Sequence, residues 1–259
     1  MSARTVDWAA LRAPQGDPTG TEGLRERKKR AMRQQLTDTA TEMFLERGFD
    51  AVRVAEIAAA CDVSEKTVFN YFPTKESLIL DQPDSVLASL RTGLAEPAVA
   101  PVDAALRILA EELGAMTAWL EAQEDLELTV RQTRRFAVLI HTTPALRTYQ
   151  REMTDRLIAA AAEALARRGG VSPDDPEPQI AATALVGLWP VQFRALGKYL
   201  DGVRTPAQVR DAVTEEVHRA ARLLDTGLAG SAIGTVTGAV TGAVTVADVT
   251  DGSSGSSGA

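Results

Sequence analysis

The chain has 259 residues, 45 % of them apolar and 24 % charged, with a formal net charge of −7. That length suffices for one large domain or two modest ones. The weight of Ala, Leu, Glu and Arg over aromatic and β-branched residues points to an all-α protein. The single cysteine, Cys61, excludes an intrachain disulfide. No uninterrupted apolar stretch reaches the ~18 residues of a membrane span, and the first residues lack the charged-then-apolar pattern of an export signal. A cytoplasmic protein without membrane association is therefore expected.

Residues 1–22 hold Pro14, Gly16, Pro18 and Gly20 and no sustained period, and read as a flexible arm. Helical periodicity begins near Glu22. From Arg25 to Arg47, the residues Ala31, Leu36, Ala40, Phe44 and Leu45 recur at helical steps, and Gly48 supplies a stop. The charge is uneven. Residues 1–80 hold twelve basic and twelve acidic residues, so the excess of acid lies beyond them. Within the first helix Arg25, Arg27, Lys28, Lys29, Arg30 and Arg33 are opposed only by Glu26. Such a run is either a solvated helix end or, beside a DNA-reading element, a contact to phosphates.

A second helix is expected over Val54–Cys61 and a short third over Glu65–Phe72. Between them lies the turn Asp62-Val63-Ser64, with Ser64 as N-cap. Pro73 ends the third helix, and Thr74 caps the next. Helix, three-residue turn and short helix make a helix-turn-helix. Phe49, Val54, Ile57, Ala58, Val63, Val68 and Phe72 can form its core, which leaves Glu65, Lys66, Thr67, Asn70 and Tyr71 on or near the outward face of the third helix. A cation, a hydroxyl, an amide and a phenol on one short helix suit base edges and phosphates in a major groove.

The stretch Gly48-Phe49, then Val54-Ala55-Glu56-Ile57-Ala58-Ala59-Ala60-Cys61-Asp62-Val63-Ser64-Glu65-Lys66-Thr67-Val68-Phe69-Asn70-Tyr71-Phe72-Pro73-Thr74-Lys75-Glu76-Ser77-Leu78, closely resembles the TetR (tetracycline repressor) family. The resemblance implies that Lys66, Thr67, Asn70 and Tyr71 face DNA, and that Tyr71 and Lys75 contact phosphates. Two positions depart from the family pattern. Arg53 stands where a Thr or Ser usually caps the second helix and touches a phosphate; Arg53 can reach a phosphate but is a poor cap. Asp62 stands in place of the usual turn glycine. The expected DNA-contacting set is Arg53, Ser64, Lys66, Thr67, Asn70, Tyr71 and Lys75.

Beyond the motif, helices are expected over 75–94, 101–122, 124–141, 144–168, 177–201 and 205–226, with Pro190 bending the one that contains it. The domains are then 23–78, a three-helix DNA-binding unit, and 79–228, a larger helical unit. Residues 229–259, with Gly-Thr-Val-Thr repeats and a Gly/Ser end, read as a disordered low-complexity tail. The resemblance implies an effector pocket in the larger unit. Trp119, Phe136, Trp189 and Phe193 are its candidate lining, with Gln132, Thr133 or Gln192 as polar groups, which favours a small, mostly apolar ligand. Val209, Val213, Val217, Ala220 and Leu224 form one stripe, and Ala181, Leu185, Leu188 and Gln192 another. These two helices are the expected homodimer surface, although part of each stripe must face the subunit's own core.

His141 and His218 are the only histidines, and no metal-ligand or nucleophile spacing exists, so no catalytic site, metal or cofactor is expected. The expectation is a dimeric repressor of a palindromic operator, released by an apolar effector. The rival is a helical binding protein or enzyme with no role on DNA.

Overall fold

The computed structural model describes residues 23–80 and 84–228; the expected arm, the expected tail and Pro83 lie outside that range. Eleven α-helices follow one another in it, and no strand occurs among the described residues. They are α1 (Leu24–Arg47), α2 (Val54–Ala60), α3 (Glu65–Tyr71), α4 (Ser77–Leu80), α5 (Asp84–Gly93), α6 (Pro101–Glu121), α7 (Leu126–Thr142), α8 (Pro144–Gly169), α9 (Pro176–Val186), α10 (Leu188–Tyr199) and α11 (Pro206–Leu228).

Leu36, Ala40 and Phe44, spaced by four, give α1 a fully buried stripe. Phe44 meets Phe49 with ring centroids 5.0 Å apart. Val52, Ile57, Val68 and Phe72 close the small core over it, and α4 adds Leu78 and Ile79. This core is continuous with that of the larger unit, where α11 packs on α6 and α10, and α8 on α9 and α5.

Of the expected helix over 75–94, the described residues form α4 and α5, on either side of 81–83, which lie outside the described range. One expected helix is divided. Residues 177–201 form α9 and α10, and the break falls at Gly187 rather than as a bend at Pro190. The reason is steric. In a continuous helix the Pro190 ring would strike the carbonyl of Val186. Ending α9 at Val186 places Pro190 in the first turn of α10, where a missing N–H removes nothing. Gly187 permits the junction, because a Cβ there would stand 3.0 Å from the Ala184 carbonyl oxygen.

The dimer stripes also require correction. Val209, Val213 and Val217 are buried inside the subunit, as are Ala181, Leu185 and Leu188, while Gln192, Ala220 and Leu224 are half-buried; α11 packs mainly on α10 and α6. Among the described residues, the exposed large apolar groups of these helices are Ile180 on α9, Phe193 on α10 and Leu223 on α11. By length and hydropathy alone the run Pro176–Tyr199 could cross a bilayer, but it is divided at Gly187 into α9 and α10. It also carries Glu177, Arg194 and Lys198.

Candidate nucleic-acid interface

The turn between α2 and α3 is built from backbone hydrogen bonds. Val63 N–H donates to Ala58 O at 3.0 Å and Asp62 N–H to Ala59 O at 3.2 Å, the two bonds of a Schellman stop. The residue between helix and turn, Asp62, takes φ = 55°. This is the left-handed conformation for which the family pattern supplies glycine, and Asp tolerates it better than most residues do. Ser64 then caps α3: its Oγ accepts from Thr67 N–H at 3.1 Å and lies 2.9 Å from Thr67 Oγ1.

At the start of α2 the capping is inverted. Arg53 has no acceptor to offer, and instead its N–H donates to Glu56 Oε2 at 2.8 Å. Arg47 donates to the other oxygen at 2.7 Å. These bonds hold the Glu56 carboxyl well below the usual carboxylate range, with the Arg53 backbone N–H the largest cause. The Arg53 side chain itself is largely exposed.

On α3, Glu65, Lys66, Phe69 and Asn70 are exposed, while Thr67 and Tyr71 are half-buried against the framework. Lys66, Phe69 and Asn70, at spacings of three and four, share one face. Phe69 escaped the sequence reading, which took it for neither core nor contact; it is 46 % exposed. An aromatic flanked by a cation and an amide adds an apolar surface able to meet a thymine methyl. The C-terminal end of α3 is pinned by Arg33 of α1, whose Nη1 donates to Tyr71 O at 2.8 Å. The same guanidinium lies 4.4 Å from the Phe72 ring centroid.

Lys75 sits differently from Lys66. Its Nζ donates to Phe49 O at 2.6 Å and lies 4.3 Å from the Phe49 ring and 5.5 Å from that of Phe44. Burial pushes this ammonium below the usual lysine range. It ties the segment after α3 to the α1–α2 loop. Cys61 is buried, with Sγ 3.4 Å from Thr39 Oγ1.

The four aromatic residues expected around an effector are spread over three helices. Trp119 on α6 and Phe136 on α7 are buried, Trp189 on α10 is half-buried, and Phe193, also on α10, is 45 % exposed. Trp189 carries a partner that the sequence did not reveal. Its indole N–H points at the Glu112 carboxyl of α6, with Nε1 3.0 and 3.2 Å from the two oxygens. Burial pushes that carboxyl up to about 7, against the lowering effect of the indole hydrogen bond. Of the polar candidates, Thr133 Oγ1 donates to Thr129 O and Gln132 accepts from Arg135, while Gln192 is half-buried. A separate open cleft of about 480 Å³ lies beside Ser89, Thr92, Glu96, Arg107 and Glu111, and none of the four aromatics lines it. Arg135 faces neither: its Nη2 donates to Leu45 O at 2.7 Å, which joins α7 to the last turn of α1. No group of three or more His, Cys, Asp or Glu with metal-binding arrangement occurs among the described residues.

A capped, pinned short helix that turns polar groups and an aromatic outward, carried on a larger helical body, places the chain among the helix-turn-helix DNA-binding regulators. Comparison with known proteins narrows the class. The model of bacterial regulatory proteins of the tetR family matches residues 36–81, and that of the MftR C-terminal domain matches residues 127–229. The regulator TcmR of Streptomyces glaucescens is 31 % identical over 178 residues, 68 % of this chain and 75 % of that protein. A protein of Mycobacterium tuberculosis named as a mycofactocin biosynthesis transcriptional regulator, MftR, is 28 % identical over 59 % of this chain and 73 % of its own length. Among solved structures, NalD of Pseudomonas aeruginosa superposes with a TM-score of 0.46 at 21 % identity, over 74 % of this chain and 97 % of that one. The chain belongs to the TetR family and is a DNA-binding transcriptional regulator. Regulators of this family bind DNA operators and small molecules and act as dimers.

Proposed function

We propose that this chain is a cytoplasmic repressor that binds a roughly palindromic operator as a homodimer and leaves it when a small, mostly apolar molecule occupies the larger helical unit. The observation that carries the DNA-reading part is the exposed face of α3. Lys66, Phe69 and Asn70 project from a helix fixed at one end by Ser64 and at the other by Arg33. Asn70 is suited to an adenine edge, Phe69 to a thymine methyl, and Lys66 to a guanine edge or a phosphate. Ser64, Thr67, Tyr71 and Arg53 are assigned to phosphates. Lys75, engaged with Phe49, acts mainly by holding the framework, and any phosphate contact is secondary.

The second copy is assigned to the outer faces of α9, α10 and α11, where Ile180, Phe193 and Leu223 are exposed. Phe193 thereby moves from effector lining to subunit contact. The effector region keeps Trp119, Phe136 and Trp189, with Glu112 as its polar group. Its state reaches the DNA through α7, since Phe136 and Arg135 are adjacent and Arg135 holds the end of α1. A ligand that prefers a different spacing of the two recognition helices lowers operator affinity by differential binding.

The test is a mobility-shift assay with the DNA upstream of the chain's own gene. Wild type is expected to retard it at low salt, and Asn70→Ala to bind with relaxed base preference at particular positions. Retardation of no genomic fragment would overturn the proposal.

A further inference from the structure

The Glu112 carboxyl is desolvated and has no counter-ion. Its hydrogen-bond partner among the described residues is the Trp189 indole, a single N–H shared between the two oxygens at 3.0 and 3.2 Å. A carboxylate has about four acceptor sites, so one donor leaves most of them unused. No cation offsets the burial: the charged residue that acts on this carboxyl is Glu111, an acid, which raises it further. The basic groups around α6 are exposed or engaged elsewhere. Arg91 of α5 is exposed, Arg131 of α7 pairs with Glu127, and Lys198 of α10 and Arg219 of α11 both pair with Glu216. His141 and His218 are exposed. A desolvated carboxylate calls for a partner that the subunit does not supply.

The surroundings give that partner a shape. Glu112, Met116 and Trp119 follow one another at spacings of four and three and share one face of α6. Met116 and Trp119 are buried, so the face passes from a carboxyl to apolar groups over roughly 10 Å. In the other direction Ile108, one turn before Glu112, and its neighbour Glu111 line the open cleft between α5 and α6. Glu112 and Trp189 are half-buried rather than sealed, so this side gives a route from solvent. The indole, engaged through the N–H on its edge, keeps its negative ring face as a further attraction for a cation.

Resting on the reading of Trp119, Phe136 and Trp189 as the effector region, we infer that the effector is an organic cation, an apolar body ending in one protonated amine, and that Glu112 is the residue that selects it. The ammonium donates to the unused acceptor sites of Glu112, and the body lies along Met116 and Trp119. An anion of the same shape is repelled by Glu112 and Glu111 together, and a neutral analogue leaves the carboxylate without a partner. Binding holds the carboxyl ionised, so it expels the proton that Glu112 carries part of the time at neutral pH.

The test titrates the full-length protein with probes that share one ten-carbon chain, decylammonium, decanol and decanoate, followed by tryptophan emission and by calorimetry. Decylammonium stays charged, as a lysine does, from pH 6 to 8. It is expected to bind about tenfold or more tightly than either of the others at pH 8. At pH 6, with Glu112 mostly protonated, it should bind about tenfold more weakly than at pH 8. Glu112→Gln should remove both the preference and the pH dependence. Glu111→Gln removes the same charge from the next position and should keep both, which separates Glu112 from the general attraction of a cation to an acidic chain. Equal binding of decylammonium and decanol, or a preference that survives Glu112→Gln, overturns the inference and leaves the effector region in place. Failure of all the probes to bind overturns both.

Discussion

Glu112 is a glutamate on an amphipathic helix, a residue that sequence alone assigns to solvent. Its neighbour Trp189 lies 77 positions away. With the carboxyl raised to about 7 by burial, the folded state binds more protons than the unfolded chain between roughly pH 4.5 and 7. Stability therefore falls as pH rises through that window and stays reduced above it. Glu112→Gln should leave the melting temperature unchanged near pH 4, below both values. Near pH 8 it should be more stable than wild type, by something on the order of 1–3 kcal/mol. Trp189 emission should titrate with a midpoint near 7 in wild type and lose that step in the variant. A flat emission profile in wild type would contradict the burial of a titrating carboxyl against the indole.

Lys75 makes a different point at the same scale. Its family resemblance implies a phosphate contact, whereas its geometry ties it to Phe49, 26 residues away. Lys75→Ala should lower stability by about 1–3 kcal/mol, the scale of a charge-assisted hydrogen bond with a partly desolvated cation over a ring. Lys66→Ala, at an exposed site, should change stability by less than about 0.5 kcal/mol. Thermal melts of the two purified variants decide this. Equal melting temperatures would mean that Lys75 is free to serve DNA alone.

At the scale of the element, what was legible was what is local. Gly48 after α1, Ser64 before α3, Thr74 before α4 and Pro73 after α3 act within three or four residues of themselves, and the structure uses each as its chemistry predicts. Asp62 is such a case: its left-handed conformation follows from its place in the turn. Asp62→Gly is expected to stabilise the chain by about 1 kcal/mol; a lower melting temperature would show that the Asp side chain supports the turn in another way. What was not legible depended on partners distant in sequence. Pro190 announced a disturbance, but a lone glycine inside an apolar run gave no sign that the break would fall at Gly187. Pro190 forbids a continuous helix through Val186, and a break at Gly187 rather than a bend is how the chain meets that demand. Phe69 was assigned to neither face because the adjacent Val68, Phe69, Asn70 and Tyr71 do not show which of them turn outward until the helix is packed.

At the scale of the molecule, the stripes of α9 to α11 show the limit of periodicity. A valine every four residues says that a helix buries one face, not whether the cover is its own subunit or a second copy. Val209, Val213 and Val217 are covered from within, which leaves Ile180, Phe193 and Leu223 as the apolar groups available to a partner. Replacing both Phe193 and Leu223 with Glu should yield a folded monomer of 27.6 kDa by sedimentation equilibrium and should weaken operator binding together with dimerisation. A dimer that survives these substitutions would place the interface elsewhere.

Two copies of α3 are proposed to read one DNA site, and hydroxyl-radical footprinting of the full-length protein on a selected genomic duplex addresses this directly. Two protected segments related by a two-fold axis are predicted, their centres one helical turn of DNA apart, about 34–36 Å, or a multiple of it. With Asn70→Ala, both segments should fade together. A single unpaired segment, or uniform protection that moves with protein concentration, would contradict a dimer that reads sequence through α3.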